Sequence, residues 1–277
     1  MTDLAVEGLV HVYRDGDVRA LDGVDLRIGS REAIALVGQN GSGKSTLVRH
    51  LNGLLRPTEG RVLLDGRATA DRTVADLAHQ VGLCFQDPDR QVFSGSVRAE
   101  VSFGPRNLGL RGSALDTAVD AALTAVGLQS EGRTNPYDLG YSRRKLLAIA
   151  SVLAMGTPVV VLDEPTTGQD ARGVACIARI VHDLIAKGRT VIVISHDMAF
   201  VAEHLGRVVV MRAGTVVLDG TPADVFAEAS WPTLEATNLE APFSARVGAR
   251  LGLGSTPTIE AVVEATRARA LAKGGAA

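Results

Sequence analysis

The sequence predicts an α/β protein: a mainly parallel β-sheet covered by helices on both faces, with an antiparallel β-subdomain at its N-terminal end. Three observations carry this. Short apolar β-runs alternate with helical segments beyond residue 30, a pattern that builds parallel sheets. One of those runs leads into GQNGSGKS, residues 38–45, a glycine-rich stretch that opens a helix. The first 28 residues instead hold two β-rich runs joined by a turn-like stretch.

Taken in order, LAVEGLVHVY and DGVDLRI read as strands, with RDGDV (residues 14–18) as the turn between them. REAIALVG is a short apolar strand, followed by a helix over Lys44–Leu51. RVLLDG and QVGLCFQ are further strands. Residues 114–126 and Ser142–Ala154 carry helical patterns. PVVVLDEP is a buried strand with polar residues at its C-terminal end, and Asp170–Lys187 is helical. TVIVISH is another buried strand, and RVVVMRAGTVVLDG is a hairpin turning at Ala213-Gly214. The terminal AKGGAA reads as a frayed end. Folds of this class bind ligands beyond the carboxyl ends of their strands, and the polar motifs cluster there.

Composition narrows the field. A net charge of −2 shows no global bias toward nucleic acid, and none is expected as a partner. Cys84 and Cys176 lie far apart and outside any CxxC pattern, which argues against a disulfide framework or a zinc site. Each reads as a small buried hydrophobe. The N-terminus lacks a basic-then-apolar leader, and no apolar run approaches the roughly 20 residues that span a bilayer. A soluble chain is expected, and any work at a membrane needs spans from another chain.

The chemistry starts at the P-loop. Gly38, Gly41 and Gly43 let backbone N–H groups curl around an anion, with Asn40 and Ser42 between them. The helix N-terminus adds partial positive charge. Lys44 supplies a point charge for the outer phosphates, the Ser45 hydroxyl suits Mg²⁺, and Thr46 follows directly. The second half of the site is Asp163-Glu164, 163 − 44 = 119 residues further on. A carboxylate at Asp163 can hold Mg²⁺ opposite Ser45, and Glu164 can orient and activate a water. His196 ends TVIVISH, a strand of the same sheet; a structural histidine and a γ-phosphate sensor are the two readings of it.

DLGYSRRKLLAIAS, residues 138–151, poses a separate question. It places Arg143, Arg144 and Lys145 in the first turn of a helix, where each cation costs about 0.3–1 kcal/mol against the helix dipole. Either acidic neighbours neutralise them, or an anion binds there; facing a bound triphosphate is the favoured explanation.

Together these motifs resemble the ATP-binding cassette (ABC) transporter ATPases over roughly residues 3–228. Walker A is Gly38–Ser45, Walker B is VVVLDEP, the Q-loop is Gln86, the D-loop looks like Thr167–Asp170, and the H-loop is His196. The resemblance implies an ABC-type P-loop NTPase domain over 1–230, with a helical subdomain at about 87–155. It implies ATP and Mg²⁺, Glu164 as general base, and Gln86 as a Mg²⁺/water contact and link to a membrane partner. Tyr13 sits where the family stacks an aromatic ring on adenine; a ring packed in the β-subdomain is the alternative. The resemblance further implies a head-to-tail dimer of two such ATPase subunits, each ATP lying between one Walker A and the other subunit's signature motif.

The stretch FQDPDRQVFSGSVRAEVSFGPRNLGL (85–110) is similar to the ATPases of energy-coupling factor (ECF) transporters, including cobalt/nickel and vitamin types. In that family this region meets a transmembrane scaffold subunit, which carries a membrane substrate-binding subunit. Pro88 and Phe93 are the expected contacts, at the cytoplasmic face of the membrane. LEAPFSARVGARLGLGSTPTIEAVVEA (239–265) is similar to the family's C-terminal helical extension, which aids dimerisation and is expected over 231–277; the 239–265 stretch holds two short amphipathic segments, and a helical cap on the same core is the alternative.

One departure stands out. The family signature Leu-Ser-Gly-Gly-Gln aligns with Leu139-Gly140-Tyr141-Ser142-Arg143. Ser142 is open to two roles, capping the helix or contacting nucleotide in trans. The altered motif fits a working variant, the weak half of an asymmetric ATPase pair, or loss of turnover. The expected function is thus the ATPase of an ECF-type importer, with another ABC importer class or a partly degenerate pair member as alternatives. Coiled-coil insertions of soluble ABC proteins and an Asn-Lys-x-Asp guanine motif are both missing from the sequence.

Overall fold

The computed structural model describes residues 2–13 and 18–274. Its first unit is an antiparallel sheet in the order β2-β1-β4-β5, from β1 (Leu4–Tyr13), β2 (Val18–Ile28), β4 (Glu59–Leu64) and β5 (Arg67–Ala68). The second is a six-stranded sheet in the order β10-β9-β3-β8-β7-β6. Here β3 (Ala33–Val37), β6 (Val81–Cys84), β7 (Val159–Asp163), β8 (Thr190–Ile194) and β9 (Arg207–Arg212) run parallel. Only β10 (Thr215–Gly220) pairs antiparallel, closing the hairpin at Ala213-Gly214. The turn expected over 14–18 falls at 14–17 outside the described residues, as does the end of the chain from 275.

Every residue of β7 and β8 is buried, which explains their unbroken apolar sequences. Successive side chains point to opposite faces. Ile34, Leu36, Val161 and Ile192 pack toward α1 (Lys44–Leu51) and the antiparallel sheet. Ala35, Val37, Val160 and Val193 pack toward the helices of the other face. Those are α5 (Tyr141–Met155), α6 (Ala171–Ala186) and α7 (Met198–His204), joined by α3 (Val97–Asn107) and α4 (Gly112–Ala125). In α6, Ile177, Ile180, Val181 and Leu184 form the apolar stripe, and Asp170 caps it by accepting from the Gly173 N–H at 2.8 Å. Two short helices complete the main body, α2 (Val74–Ala78) and α8 (Pro222–Val225).

Three local outcomes differ from expectation. The helix beginning at residue 142 starts one residue earlier, with Gly140 at its N-cap and no side-chain cap, so Ser142 lies inside the first turn and is not a cap. Helix α3 was not legible because Gly104-Pro105 reads as a breaker. Here Gly104 instead lets α3 approach α5: a Cβ at Gly104 would lie 2.7 Å from Met155 Cγ. Beyond residue 230 come α9 (Trp231–Glu235), α10 (Phe243–Arg250) and α11 (Ile259–Gly274). Leu234, Leu239, Ala241 and Ala245 join the main core. Helix α11 is not amphipathic; Ile259, Val263 and Leu271 are all exposed. Helix α11 runs through Gly274, and the remainder of the end expected to fray, 275–277, lies outside the described residues.

Candidate nucleotide site

A cleft of about 380 Å³ opens beyond the C-terminal ends of β3, β7 and β8. The loop after β3 brings Asn40, Gly41, Gly43, Lys44, Ser45 and Thr46 to its wall. Asp163 closes β7 and Glu164 follows; His196 follows β8, Gln86 follows β6, and Tyr13 ends β1. Gly38 and Ser42 do not line the cleft; they sit beneath it as hydrogen-bond partners of Lys44. Ser142 lies outside it. Sequence reading missed Arg19 and Ala20 of β2, which also line it; only the pairing of β2 with β1 places them there.

The loop geometry follows from its glycines. Gly43 has φ 103°, and a Cβ there would lie 2.6 Å from the Ala20 carbonyl oxygen. Gly41, at φ 82°, has open space where a Cβ would stand. Lys44 is folded back into its own loop: Nζ donates to the carbonyls of Gly38 (2.6 Å) and Gln39 (3.0 Å) and to Ser42 Oγ (3.3 Å). Burial lowers its pKa, while Glu164 and Asp163 oppose that shift. The Gln39 side chain accepts from Asn238 Nδ2 at 2.6 Å, so the segment between α9 and α10 reaches the P-loop.

Both carboxylates are buried. Ser45 Oγ donates to Asp163 Oδ2 at 3.1 Å, and Asp163 Oδ1 has no partner. Glu164 Oε2 accepts weakly from the His196 N–H and from Thr167 Oγ1, each at 3.4 Å. Its Oε1 lies 3.1 Å from His196 Nε2, without hydrogen-bond alignment. Burial raises the pKa of both acids and lowers that of His196. Glu164 also has φ 49°, a left-handed conformation that costs a non-glycine residue about 1–3 kcal/mol. An under-bonded, strained, buried carboxylate is destabilising and therefore marks a working position.

The cations of the 138–151 stretch have partners within the chain, as the acidic-neighbour reading of them expects. Arg143 Nη2 lies 2.9 Å from Glu131 Oε1, and Arg144 Nε lies 2.7 Å from Asp89 Oδ1. Lys145 is fully buried and donates to the Thr167 carbonyl at 3.2 Å. Ser142 Oγ donates to Gln169 Oε1 (2.7 Å), and Gln169 Nε2 donates back to the Ser142 carbonyl (3.1 Å). The Tyr141 ring covers Gly168. The start of α5 is thus fastened at three points to the loop behind Glu164. Gly168→Ala is expected to cost about 2–4 kcal/mol, from strain at φ 77° and overpacking by a Cβ 2.7 Å from Tyr141. Adding Tyr141→Ala should remove the overpacking share, and denaturant unfolding of both variants checks this.

Comparison with known proteins agrees with this geometry. The ABC transporter family profile matches residues 21–167. The chain is 40% identical over 232 residues to the energy-coupling factor transporter ATP-binding protein EcfA of Methanocaldococcus jannaschii, covering 83% of this chain and 82% of that one. It is 39% identical over 249 residues to EcfA2 of Clostridium perfringens, covering 86% of each. The solved structure of cbiO1 from Clostridium perfringens superposes with a TM-score of 0.74 at 37% identity, covering 90% of this chain and 98% of that one. The chain therefore belongs to the ABC transporter family as one of its ATP-binding subunits, and it is an ATPase with ECF-type relatives.

Proposed function

We propose that this ATPase is the energy-coupling subunit of an ECF-type importer, carrying a vitamin or a transition-metal ion. It works as a dimer on the cytoplasmic face of a membrane, with a transmembrane scaffold subunit and a membrane substrate-binding subunit. The observation that carries the reading is the meeting of Lys44, Ser45, Gln86, Asp163, Glu164 and His196 in one cleft. The relatives' names support the transporter type, and the cbiO1 structure is described as part of the ABC transporter complex cbiONQ. Among the described residues no helix is long and apolar enough to cross a membrane, so the spans are assigned to other chains.

Mg²⁺ fits the donors present. Asp163 Oδ1 is an unpartnered buried oxygen beside the Ser45 hydroxyl, and Gln86 lines the same cleft. All three are hard oxygen donors. Among the described residues no cluster of three or more His, Cys, Asp or Glu exists, which suits an ion held largely by phosphates and water. When bound, Mg²⁺ neutralises charge on the phosphate oxygens. Glu164 takes a proton from the attacking water as its oxygen bonds to the γ-phosphorus and the bond to the β-phosphate oxygen breaks, releasing ADP. His196, whose ring lies beside Glu164 Oε1, faces the γ-phosphate, and its backbone N–H donates a long hydrogen bond to Glu164 Oε2. Tyr13 stacks on the adenine. Because burial raises the Glu164 pKa, and the base acts ionised, turnover should fall as pH drops through an apparent pKa above the usual glutamate range. A pH–rate profile of the assembled complex checks it.

The scaffold contact is assigned to Phe93 and not to Pro88. Pro88 is buried at the start of a short 3₁₀ turn, whereas Phe93 is 60% exposed and stacks edge-on against exposed Phe103, with centroids 4.8 Å apart. Phe93→Ser should release the chain from co-purified membrane subunits while ATP affinity stays unchanged. A complex that purifies intact would remove this surface from the reading. Exposed Phe243 and Ile259 on α10 and α11 support the C-terminal extension as part of the dimer contact. The asymmetric-pair reading has one observation in its support: the Ser142 hydroxyl is hydrogen-bonded to Gln169 of its own chain.

A further inference from the structure

Two histidines lie behind the nucleotide cleft, and none of the chemistry above uses them. His11 is on β1, two residues before Tyr13, and His50 is on α1, four residues after Thr46. Both are buried, His50 completely. Their hydrogen bonds define their protonation. His50 Nδ1 lies 2.8 Å from the Thr46 carbonyl, which only accepts, so Nδ1 carries the proton. The neutral ring then has a bare Nε2, which accepts from His11 Nδ1 at 3.2 Å. His11 Nδ1 also points to the Arg56 carbonyl at 3.2 Å, consistent with a donor shared between two acceptors. Burial holds the His50 pKa below the ordinary histidine value, which keeps that nitrogen bare at neutral pH.

The pair closes a circuit. The His11 ring packs edge-on against the Tyr13 ring, with centroids 4.6 Å apart at 80°, and against His50 at 4.7 Å and 75°. Tyr13 Oη lies 3.2 Å from Thr46 Oγ1, so it hydrogen-bonds the same residue whose carbonyl holds His50. The path runs Thr46 to His50, to His11, to Tyr13 and back to Thr46. It joins β1, an inner strand of the antiparallel sheet, to the P-loop helix through the two buried histidines, and it engages Tyr13 at both its ring and its hydroxyl. A pair that merely filled space needs neither the shared donor nor the return bond through Tyr13 Oη.

We propose that His11 and His50 are positioning residues that lock the Tyr13 ring to the P-loop helix, so that base platform and phosphate cradle meet ATP as one rigid surface. This rests on the assignment of Tyr13 as the adenine platform. Fixing the ring beforehand spares the ordering cost of binding, and affinity gains accordingly.

The test measures binding of ATP and of inorganic tripolyphosphate to the full chain by calorimetry. The variants are Tyr13→Ala, His11→Phe, His50→Leu and the double variant Tyr13→Ala/His11→Phe. His11→Phe keeps a ring of similar size against Tyr13, and thermal unfolding establishes that each variant folds. Tyr13→Ala is expected to weaken ATP about 10-fold, within the range of base–aromatic stacking. His11→Phe and His50→Leu are expected to weaken ATP about 3- to 10-fold, as a share of that stacking. Tripolyphosphate affinity should change by less than about twofold in all of them, because it has no base to stack. The double variant should bind ATP no more weakly than Tyr13→Ala alone, since both changes act on one ring. Equal losses for ATP and tripolyphosphate, or losses that add in the double variant, overturn the proposal. If Tyr13→Ala weakens ATP but both histidine variants bind it normally, the positioning role alone falls. If Tyr13→Ala itself binds ATP normally, the platform assignment falls and the proposal falls with it.

Discussion

Glu164→Gln is expected to lower ATP turnover about 10³-fold, within the range that general-base catalysis contributes. At the same time it should raise the melting temperature of the nucleotide-free protein. The two effects have one origin. Glu164 is buried, its Oε1 lacks a hydrogen bond, and its Oε2 accepts only two long ones. A buried, poorly bonded carboxylate is costly when ionised. Glutamine keeps the shape, and its carbonyl oxygen can still accept from His196 N–H or Thr167 Oγ1, but it carries no charge. A gain of about 1–2 kcal/mol, or about 2–4 °C per kcal/mol for a chain of this size, is the expected scale.

The sign can be checked through pH. Burial raises the folded-state pKa of Glu164 above its unfolded value. Its relative stabilisation is therefore complete below the unfolded pKa and is lost as pH rises through the folded one. The stability advantage of Glu164→Gln should accordingly be large at neutral pH and shrink in acid. Thermal unfolding of both proteins from pH 4 to 8 tests this. An unchanged turnover would remove Glu164 from the role of base, whatever the melting data show.

Lys44→Ala is expected to weaken ATP binding by at least about 100-fold, the loss of two charge-assisted hydrogen bonds to phosphate. In the structure the ammonium group is held by two carbonyls and Ser42 Oγ inside the loop. Those acceptors keep the charge next to the place where phosphate arrives. Although burial lowers its pKa, Asp163 and Glu164 favour the charged form. Alanine removes the charge and leaves the Gly38 and Gln39 carbonyls without their donor, so the loop loses its internal brace as well. Lys44→Arg keeps the charge, but the bulkier planar guanidinium replaces a compact ammonium group in a tight loop and should restore little. Calorimetric titration with ATP decides the matter, and wild-type affinity in Lys44→Ala would contradict the reading.

Much of this architecture is written in local patterns. The strands β3, β7 and β8 are buried on both faces, so their sequences are unbroken apolar runs, and each leads into polar residues that face the cleft. GQNGSGKS is legible because backbone curvature around an anion demands glycine at fixed positions. The circuits that tune the site are not legible in this way. His11 and His50 sit in ordinary strand and helix patterns, and only the packing of β1 against α1 joins them. The three cations at the start of α5 posed a puzzle in sequence because Glu131, Asp89 and the Thr167 carbonyl come from distant segments. Helix α3 was hidden by Gly104-Pro105, whose meaning depends on the neighbouring Met155.

The hydrogen bond from Asn238 to Gln39 spans 199 residues of sequence and ends in the P-loop. It sets the segment between α9 and α10 against the loop that cradles phosphate. Shortening the protein before residue 238 therefore does more than trim an appendage: it frees the Gln39 side chain at the rim of the phosphate loop. A version lacking the extension is a different nucleotide binder, and its ATP affinity is not a measurement of the ATPase domain in the intact protein.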